Sequence, residues 1–238
     1  MWDGELDWSS FDLVLPRATW DYAERRDQFL AWARALPRVL NPVPVLEWNT
    51  DKRRYLADLA AAGVPTIETV FVAPGEPFEP PDAPFVVKPS VSAGGRSSAR
   101  FAADDRVGAR ALVARIHAQG RTAMVQPYLG DATETALVYI DGAYSHTVRR
   151  RVPLPQAGDR PVFYLDEELG ASDATPEERE VAARALAAAP AELLYARVDL
   201  MHDVVLELEA TEPSLYLQFD PDAAARLASA IARAVRAS

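Results

Sequence analysis

Apolar residues along this chain follow two spacings, one alternating and one recurring every three to four positions, and these mark strands and helices respectively. Phe11–Leu15 predicts a short buried strand stopped by Pro16, with residues 17–22 as the loop at its carboxyl end. A helix follows from about Glu24 to Leu36, with Phe29, Leu30, Trp32, Ala33 and Leu36 on one face. Val39-Leu40 predicts a second short strand. Asn49-Thr50-Asp51 starts another helix, with Tyr55, Leu56, Leu59 and Ala60 as its stripe and Gly63 and Pro65 as its stop. Strands at Thr66–Val72 and Pro84–Lys88 flank a connection, Pro74–Pro84, that holds five prolines. Ser90–Ser98 is a loop of small residues, Ala99–Phe101 a returning strand, and Asp105–Gln119 a helix ended by Gly120.

From residue 122 onward the pattern is mostly of strands. Thr122–Gln126 ends at Pro127, and Thr133–Ile140 with Ala143–Val152 form a hairpin about Asp141-Gly142, a pair suited to a tight primed turn. Pro153–Ser172 reads as loop. Thr175-Pro-Glu-Glu178 opens a helix with a cap, a first-position proline and an acidic first turn, running to about Ala189. Val198–Met201 and Val204–Leu208 make two short strands joined through His202-Asp203, and Asp220–Ala237 is a closing amphipathic helix. The order predicts an α+β fold and not a plain doubly wound sheet. Residues 1–45, 46–121 and 122–238 are expected to be successive units.

Composition narrows the partners. The 238 residues, 49% hydrophobic, suffice for a sizeable core. A net charge of −10 argues against a nucleic-acid backbone as partner and makes any local basic cluster more telling. The absence of Cys removes disulfides and thiolate chemistry and fits a reducing compartment, so a cytoplasmic location is expected. No apolar run is long enough to span a membrane and the N-terminus has no signal pattern, so no membrane partner is expected. A homo-oligomer is left open.

Candidate chemistry centres on Arg197 to Leu215. Glu207 and Glu209 are two apart and point to one side of a strand, and Asp199 on the preceding strand is placed to meet them. Three carboxylates on one face repel unless a cation lies between them, and a hard oxygen-liking ion such as Mg²⁺ is the natural occupant; a solvated acidic strand face has the same spacing. Lys88 ends a buried strand before Ser92, Gly94 and Gly95, an arrangement able to hold a phosphate with ammonium and backbone N–H groups, or equally a surface lysine before a loop. Lys52 lies in the first turn of its helix, where a cation opposes the macrodipole and an anion nearby would compensate. Gln126, Tyr128 and Leu129 flank Pro127 in a stretch whose amide and freed backbone groups could read a nucleobase edge, with Glu134 near enough for a ribose hydroxyl; a plain edge strand explains the stretch equally well. Alternation puts Arg149 and Arg151 on one strand face and Arg150 on the other, while Arg197 shares the Asp199 face. Such guanidiniums suit a transferring phosphoryl group or simply balance charge on an exposed sheet. His117, His146 and His202 have no metal-ligand spacing.

Taken in order, these pieces resemble the ATP-grasp ligases. Asn49-Thr-Asp-Lys52 and Phe85-Val-Val-Lys88-Pro with Ser92-Ala-Gly-Gly95 are similar to the segments carrying that family's two ATP lysines and its flexible loop. Val125–Leu129 is similar to its adenine hinge, with Gln126 where Glu is common. Arg197-x-Asp199 and Glu207-x-Glu209 are similar to its metal-binding pairs, with Glu209 in place of the usual Asn. Arg17-Ala-Thr-Trp-Asp21 and the spacing from Glu207 to Ser214 resemble the glutathione-synthetase-like branch, among it the O-ureido-serine cyclo-ligases of cycloserine biosynthesis. The resemblance implies two α+β lobes clasping ATP, with a shortened Rossmann-like domain before them, since the strand and helix usual before Phe11–Leu15 are not evident.

It further implies an ATP- and Mg²⁺-dependent ligase that activates the carboxylate of an amino-acid-like molecule as an acyl phosphate for attack by an amine-type nucleophile. Arg197 and Arg151 would hold the acyl phosphate, and Lys52, Lys88, Ser92, Gly94, Gly95, Gln126, Tyr128, Leu129 and Glu134 the nucleotide. Arg17, Thr19, Asp21, Arg149 and Ser214 would hold the substrate, and Asp199, Glu207 and Glu209 the metal. The alternative is a degenerate relative that binds Mg²⁺-ATP without turnover.

Overall fold

The computed structural model describes residues 2–95, 97–130, 133–151 and 168–237. Most of the predicted Pro153–Ser172 loop, the strand end at Val152, and Arg96 lie outside them.

At the N-terminus a buried cluster of Trp2, Val14, Tyr22, Phe29, Leu30, Ala33, Leu36, Val39 and Leu46 holds residues 2–46 together. Helix α1 (Arg26–Ala35) supplies its apolar face. The strand predicted at Phe11–Leu15 is reduced to a single parallel bridge, Val14 to Val39, and Phe11 is exposed. Two hydrogen bonds, Val14 N to Arg38 O and Leu40 N to Val14 O, pair these segments. Pro16 then removes a ladder donor.

A helix absent from the sequence reading, α2 (Val43–Asn49), starts with Pro44 in its first turn and buries Val45, Leu46 and Trp48. It leads directly into α3 (Lys52–Ala61), where the Asp51 side chain accepts from Arg53 N. Two buried asparagines fix this stretch to the strands that follow far along the chain. Asn41 donates to Tyr195 O and Ala210 O and accepts from Leu194 N. Asn49 donates to Leu208 O and accepts from Ala210 N, Thr211 N and Thr211 Oγ1 at 2.7, 3.0 and 3.1 Å. Asn49→Ala leaves buried backbone N–H groups unmatched, at about 1–3 kcal/mol each. Urea denaturation is therefore expected to show a loss of about 3 kcal/mol, and a loss under about 0.5 kcal/mol would mean that these bonds are readily replaced.

Next come β1 (Val70–Val72), β2 (Phe85–Pro89), β3 (Ala99–Phe101), α4 (Arg106–Ala118) and β4 (Ala123–Pro127). The four strands form an antiparallel sheet in the order β1-β4-β2-β3, with α4 packed on Phe85, Val87, Phe101 and Val125. The predicted strand from Thr66 is shorter than expected because Thr66 bridges to Val205 and Ile67 N donates to Val205 O, tying that segment to the second sheet.

The second sheet contains β5 (Glu134–Ile140), β6 (Ala143–Arg151), β7 (Glu168–Ser172), β8 (Tyr195–Met201) and β9 (Val204–Glu209) in the antiparallel order β7-β6-β5-β8-β9. Asp141 and Gly142 both take positive φ, as do His202 and Asp203, so both hairpins turn through left-handed residues. Helix α5 (Pro176–Ala187) begins with a full capping box between Thr175 and Glu178. With α3 it covers the face bearing Leu137, Tyr139, Val198, Leu200 and Leu208. Helix α6 (Ala223–Arg236) packs on the opposite face against Val138, Ile140 and Tyr195. The rest of that face carries the charged residues.

Candidate active site

Each hairpin of the second sheet contains one register shift, and together the shifts assemble the charged face. Counted uniformly from its turn, β8–β9 would pair Asp199 with Leu206. The shift between Asp199 and Leu200 pairs Asp199 with Glu207 and Arg197 with Glu209 instead. In β5–β6 a uniform count from Asp141-Gly142 would pair Glu134 with Arg149. The shift at Val138/Tyr139 makes the partner Arg150. A slip of one residue changes the face to which every later side chain points. Glu134, Arg150, Arg197, Asp199, Glu207 and Glu209 therefore share one face.

Asp199 is fully buried; Arg197 grips it through Nε and Nη2 at 2.8 and 2.9 Å, and Arg150 Nη2 reaches it at 2.8 Å. Arg197 also meets Glu209 at 2.5 Å and donates to Ser214 O. Arg150 is 2.7 Å from Glu134.

The two predicted lysines come to this face from different elements. Lys52, at the start of α3, is 6% exposed and bridges Glu207 at 2.9 Å, with a further bond to Ser92 O. Its backbone N–H donates to Ser90 O, which docks the helix on the small-residue loop. The compensating anion inferred for Lys52 is thus Glu207. Lys88, on β2, is half-buried; burial lowers its pKa, Glu207 and Glu134 pull it back up, and Lys52 and Arg150 push it down. Ser92 is buried, while Gly94 and Gly95 are exposed and both take left-handed φ, a conformation for which glycine is suited.

The remaining sequence candidates divide. Gln126 is buried, but its amide donates to Thr69 Oγ1, so its side chain is committed within the sheet. Tyr128 bonds through its hydroxyl to Arg100 and through its N–H to Pro84 O, and Leu129 is half-buried beside it. Arg17 donates to Pro213 O and stacks over Tyr195, Thr19 is buried, and Ser214 is exposed.

Three candidates lie elsewhere. Asp21 is held by Trp2 Nε1 and Arg25 in the N-terminal cluster. Arg149 points to the opposite sheet face, where Glu178 and Thr135 bind it. Arg151 is mostly exposed and lies 3.7 Å from Glu168. The arginine that does join the cluster, Arg150, was not selected from the sequence; the signal for it lay in the register to Glu134, which a uniform hairpin count gets wrong by one.

Electrostatics separates the carboxylates. Although burial opposes it, Lys52 and then Lys88 hold Glu207 down to about 2. Glu209 is pushed up to about 7 by burial, which Arg197 counters and Glu207 and Asp199 reinforce. Burial also raises Glu134, opposed by Arg150. A group whose folded pKa is raised contributes stability that is lost as pH rises through that value, and one whose pKa is depressed contributes stability that is lost as pH falls toward it. Without ligands, the melting temperature is thus expected to fall from about pH 5 to about pH 8, mainly through Glu209, and to fall again below about pH 4 through Glu207. Glu209→Gln should flatten the first limb; an unchanged slope in that variant would refute the assignment.

The donor set suits a hard cation. It consists of carboxylate oxygens, and Glu209 is pushed toward protonation by burial and, in smaller part, by the charges of Glu207 and Asp199, which a cation would offset. Among the described residues no three acidic or imidazole side chains gather closely enough to hold an ion unaided.

Solved structures give the same fold. The D-alanine–D-alanine ligase from Bacillus anthracis superposes with a TM-score of 0.67 at 15% identity, covering 95% of this chain and 80% of that one. The structure described as ATP-grasp ligase PsnB complexed with minimal precursor gives 0.60 at 19%, covering 93% and 78%. This is the fold of the ATP-grasp ligases. Residues 1–41 match the family description "D-cycloserine synthetase DcsG, N-terminal domain". The cycloserine biosynthesis protein DcsG of Streptomyces lavendulae is 38% identical over 261 residues, which is 98% of this chain and 87% of that protein. The crystal structure of D-cycloserine synthetase DcsG superposes with a TM-score of 0.85 at 36% identity, covering 98% and 88%. The chain belongs to this DcsG family of ATP-grasp ligases. Among the described residues no helix is long and apolar enough to cross a membrane.

Proposed function

We propose that the enzyme uses Mg²⁺-ATP to activate the carboxylate of O-ureido-serine and closes the ring of cycloserine. The names of its relatives support the product. The observation that carries the site is the meeting of Lys52 and Lys88 with Glu207 and Glu134 on one side of the second sheet.

Lys52 and Lys88 neutralise the phosphates, and backbone groups of Ser92, Gly94 and Gly95 close over them. The hinge at Gln126, Tyr128 and Leu129 receives adenine through its backbone, because the Gln126 amide is already engaged. Glu134 takes the ribose. Glu207 and Glu209 would hold Mg²⁺, which when bound supplies positive charge beside the phosphate oxygens; Asp199, expected as a third ligand, is instead sealed between Arg150 and Arg197. Arg197 orients Asp199 and Glu209, Arg150 orients Asp199 and Glu134, and Arg150 takes the place first given to Arg151. Burial lowers the Arg197 pKa, but Asp199 and Glu209 raise it further, so this guanidinium stays charged throughout. Arg17, Thr19 and Ser214 line the substrate side.

The substrate carboxylate attacks the γ-phosphorus and ADP leaves. The substrate's own O-bound nitrogen then attacks the acyl carbon and phosphate leaves with the bonding pair; water removes the carbamoyl group from that nitrogen as carbon dioxide and ammonia, which leaves the N–H of cycloserine. Rate enhancement comes from placement and fixed charge. Cytoplasmic ATP suits such a reaction.

The test is incubation with ATP, Mg²⁺ and O-ureido-serine, followed by assays for ADP, phosphate and cycloserine. ADP and cycloserine in step support the proposal. A thermal shift with Mg²⁺-ATP but no ADP release across a panel of amino acids would favour a binding-only relative.

A further inference from the structure

Glu212 lies in the segment that follows β9, three residues past Glu209. It is 8% exposed, and its Oε2 is closed to solvent without a hydrogen-bond partner. Buried carboxylates without a donor are rare, because burial without compensation is costly. The cations around it are already occupied. Arg197 is bound by Asp199, Glu209 and Ser214 O, and Lys52 by Glu207 and Ser92 O. Arg17 spends Nη2 on Pro213 O, next to Glu212, and lays its guanidinium over Tyr195. That bond sets the loop at residues 17–19 beside the loop at 212–214.

Two further buried polar atoms on that loop are unmatched. Arg17 Nη1 and Thr19 Oγ1 meet no partner, and Thr19 is 6% exposed. Three orphaned atoms from two touching loops therefore comprise one cationic donor, one hydroxyl and one carboxylate oxygen. Burial pushes the Glu212 carboxyl well above the ordinary range; Glu209 adds to this and Arg17 opposes it. The group therefore lacks a cation on its own side of the cluster, next to the carboxylates assigned to the reaction.

We propose that Glu212 binds the ammonium group of the substrate, with Arg17 Nη1 and Thr19 Oγ1 bonding oxygen atoms at the other end of the same molecule. This rests on the ligase reading above and adds its specificity: the enzyme takes a carboxylate whose neighbouring carbon carries an amine. An ammonium one carbon from the reacting carboxylate would reach Glu212 while that carboxylate stays near Glu209. An analogue without the amine leaves Glu212 buried and unmatched, which is the condition under which a polar site rejects a ligand strongly.

The test compares wild type with Glu212→Gln and Glu212→Asp, using O-ureido-serine and the analogue with hydrogen in place of its α-amino group. Expected for Glu212→Gln is a KM for O-ureido-serine raised roughly 10- to 100-fold, as for loss of a charge-assisted hydrogen bond. Its KM for ATP and its thermal shift with Mg²⁺-ATP should not change, and its preference for the amine over the analogue should disappear. Glu212→Asp should keep part of that preference. The ligand-free Gln variant should melt no lower than wild type, because the buried Glu212 Oε2 has no hydrogen bond to lose. A KM for O-ureido-serine within twofold of wild type, or a raised requirement for Mg²⁺ or ATP instead, overturns the assignment. Should wild type release no ADP with any amino acid, the ligase reading fails by itself. Calorimetric titration of O-ureido-serine then decides for Glu212: binding lost only in the Gln variant supports it, and equal or absent binding in both proteins overturns it.

Discussion

Glu207→Gln is expected to reduce substrate-dependent ADP release from Mg²⁺-ATP by about 10³-fold or more while the protein stays folded. Glu207 accepts from Lys52 at 2.9 Å, and a glutamine oxygen can accept the same bond. What the substitution removes is the negative charge, held fully ionised by Lys52 and Lys88, that would fix the cation against the phosphates. The Glu207 side chain is 22% exposed, so it lies where a ligand can reach it, whereas Asp199 is sealed between Arg150 and Arg197. Asp199→Asn is thus the harder variant to interpret, since a lost charge there weakens two buried ion pairs and destabilises the fold itself. Steady-state ADP assays at several Mg²⁺ concentrations, with a thermal melt as folding control, separate the two cases. Near-normal turnover by Glu207→Gln would remove it from the cation site.

Much of this was legible because local signals and global packing agree. The capping box at Thr175 and Glu178 and the turn at Asp141-Gly142 appear where the sequence placed them. The periodicity of the chain also marked β1 to β6, β8, β9, α1 and α3 to α6, whereas the loop read at Pro153–Ser172 ends in strand β7. What was not legible depends on contacts distant in sequence. Residues 11–15 carry an apolar run, yet a strand needs a neighbour, and only Val39 provides one. Helix α2 is short and proline-led, and it holds its place through Asn49 bonds to residues more than 150 positions away, which no local pattern encodes.

The site was legible in kind but less so in membership. Lys52, Lys88, Asp199, Glu207 and Glu209 follow from residue type and strand position. Glu212 was passed over because a lone glutamate before a proline looks like any surface residue until its burial and lack of a partner are seen. Arg150 was passed over for a different reason. The triplet Arg149-Arg150-Arg151 has no internal mark of which member faces the cleft, and a bulge adds its extra residue without a distinctive sequence.

That geometry sets the second large effect. Arg150→Ala is expected to lower ADP release by about 10³-fold and to cost about 3–5 kcal/mol of stability, since Glu134 and Asp199 lose the guanidinium they share. Arg150→Lys keeps the charge but not the planar fork, which reaches both carboxylates here, so it should restore stability only in part. Arg151→Ala, by contrast, removes a side chain that is 52% exposed and 3.7 Å from a Glu168 itself 79% exposed. Such a pair contributes at most about 1 kcal/mol, and turnover should stay within about twofold of wild type. Arg149→Ala should act through α5, lowering stability by loosening Glu178 while leaving the KM for ATP unaltered. The three alanine variants, measured by urea denaturation and ADP assay together, distinguish the shifted register from a uniform one. If Arg149 or Arg151 proves more damaging to turnover than Arg150, then the strand does not present Arg150 to the nucleotide, and the charged face must be reassigned from the bulge outward.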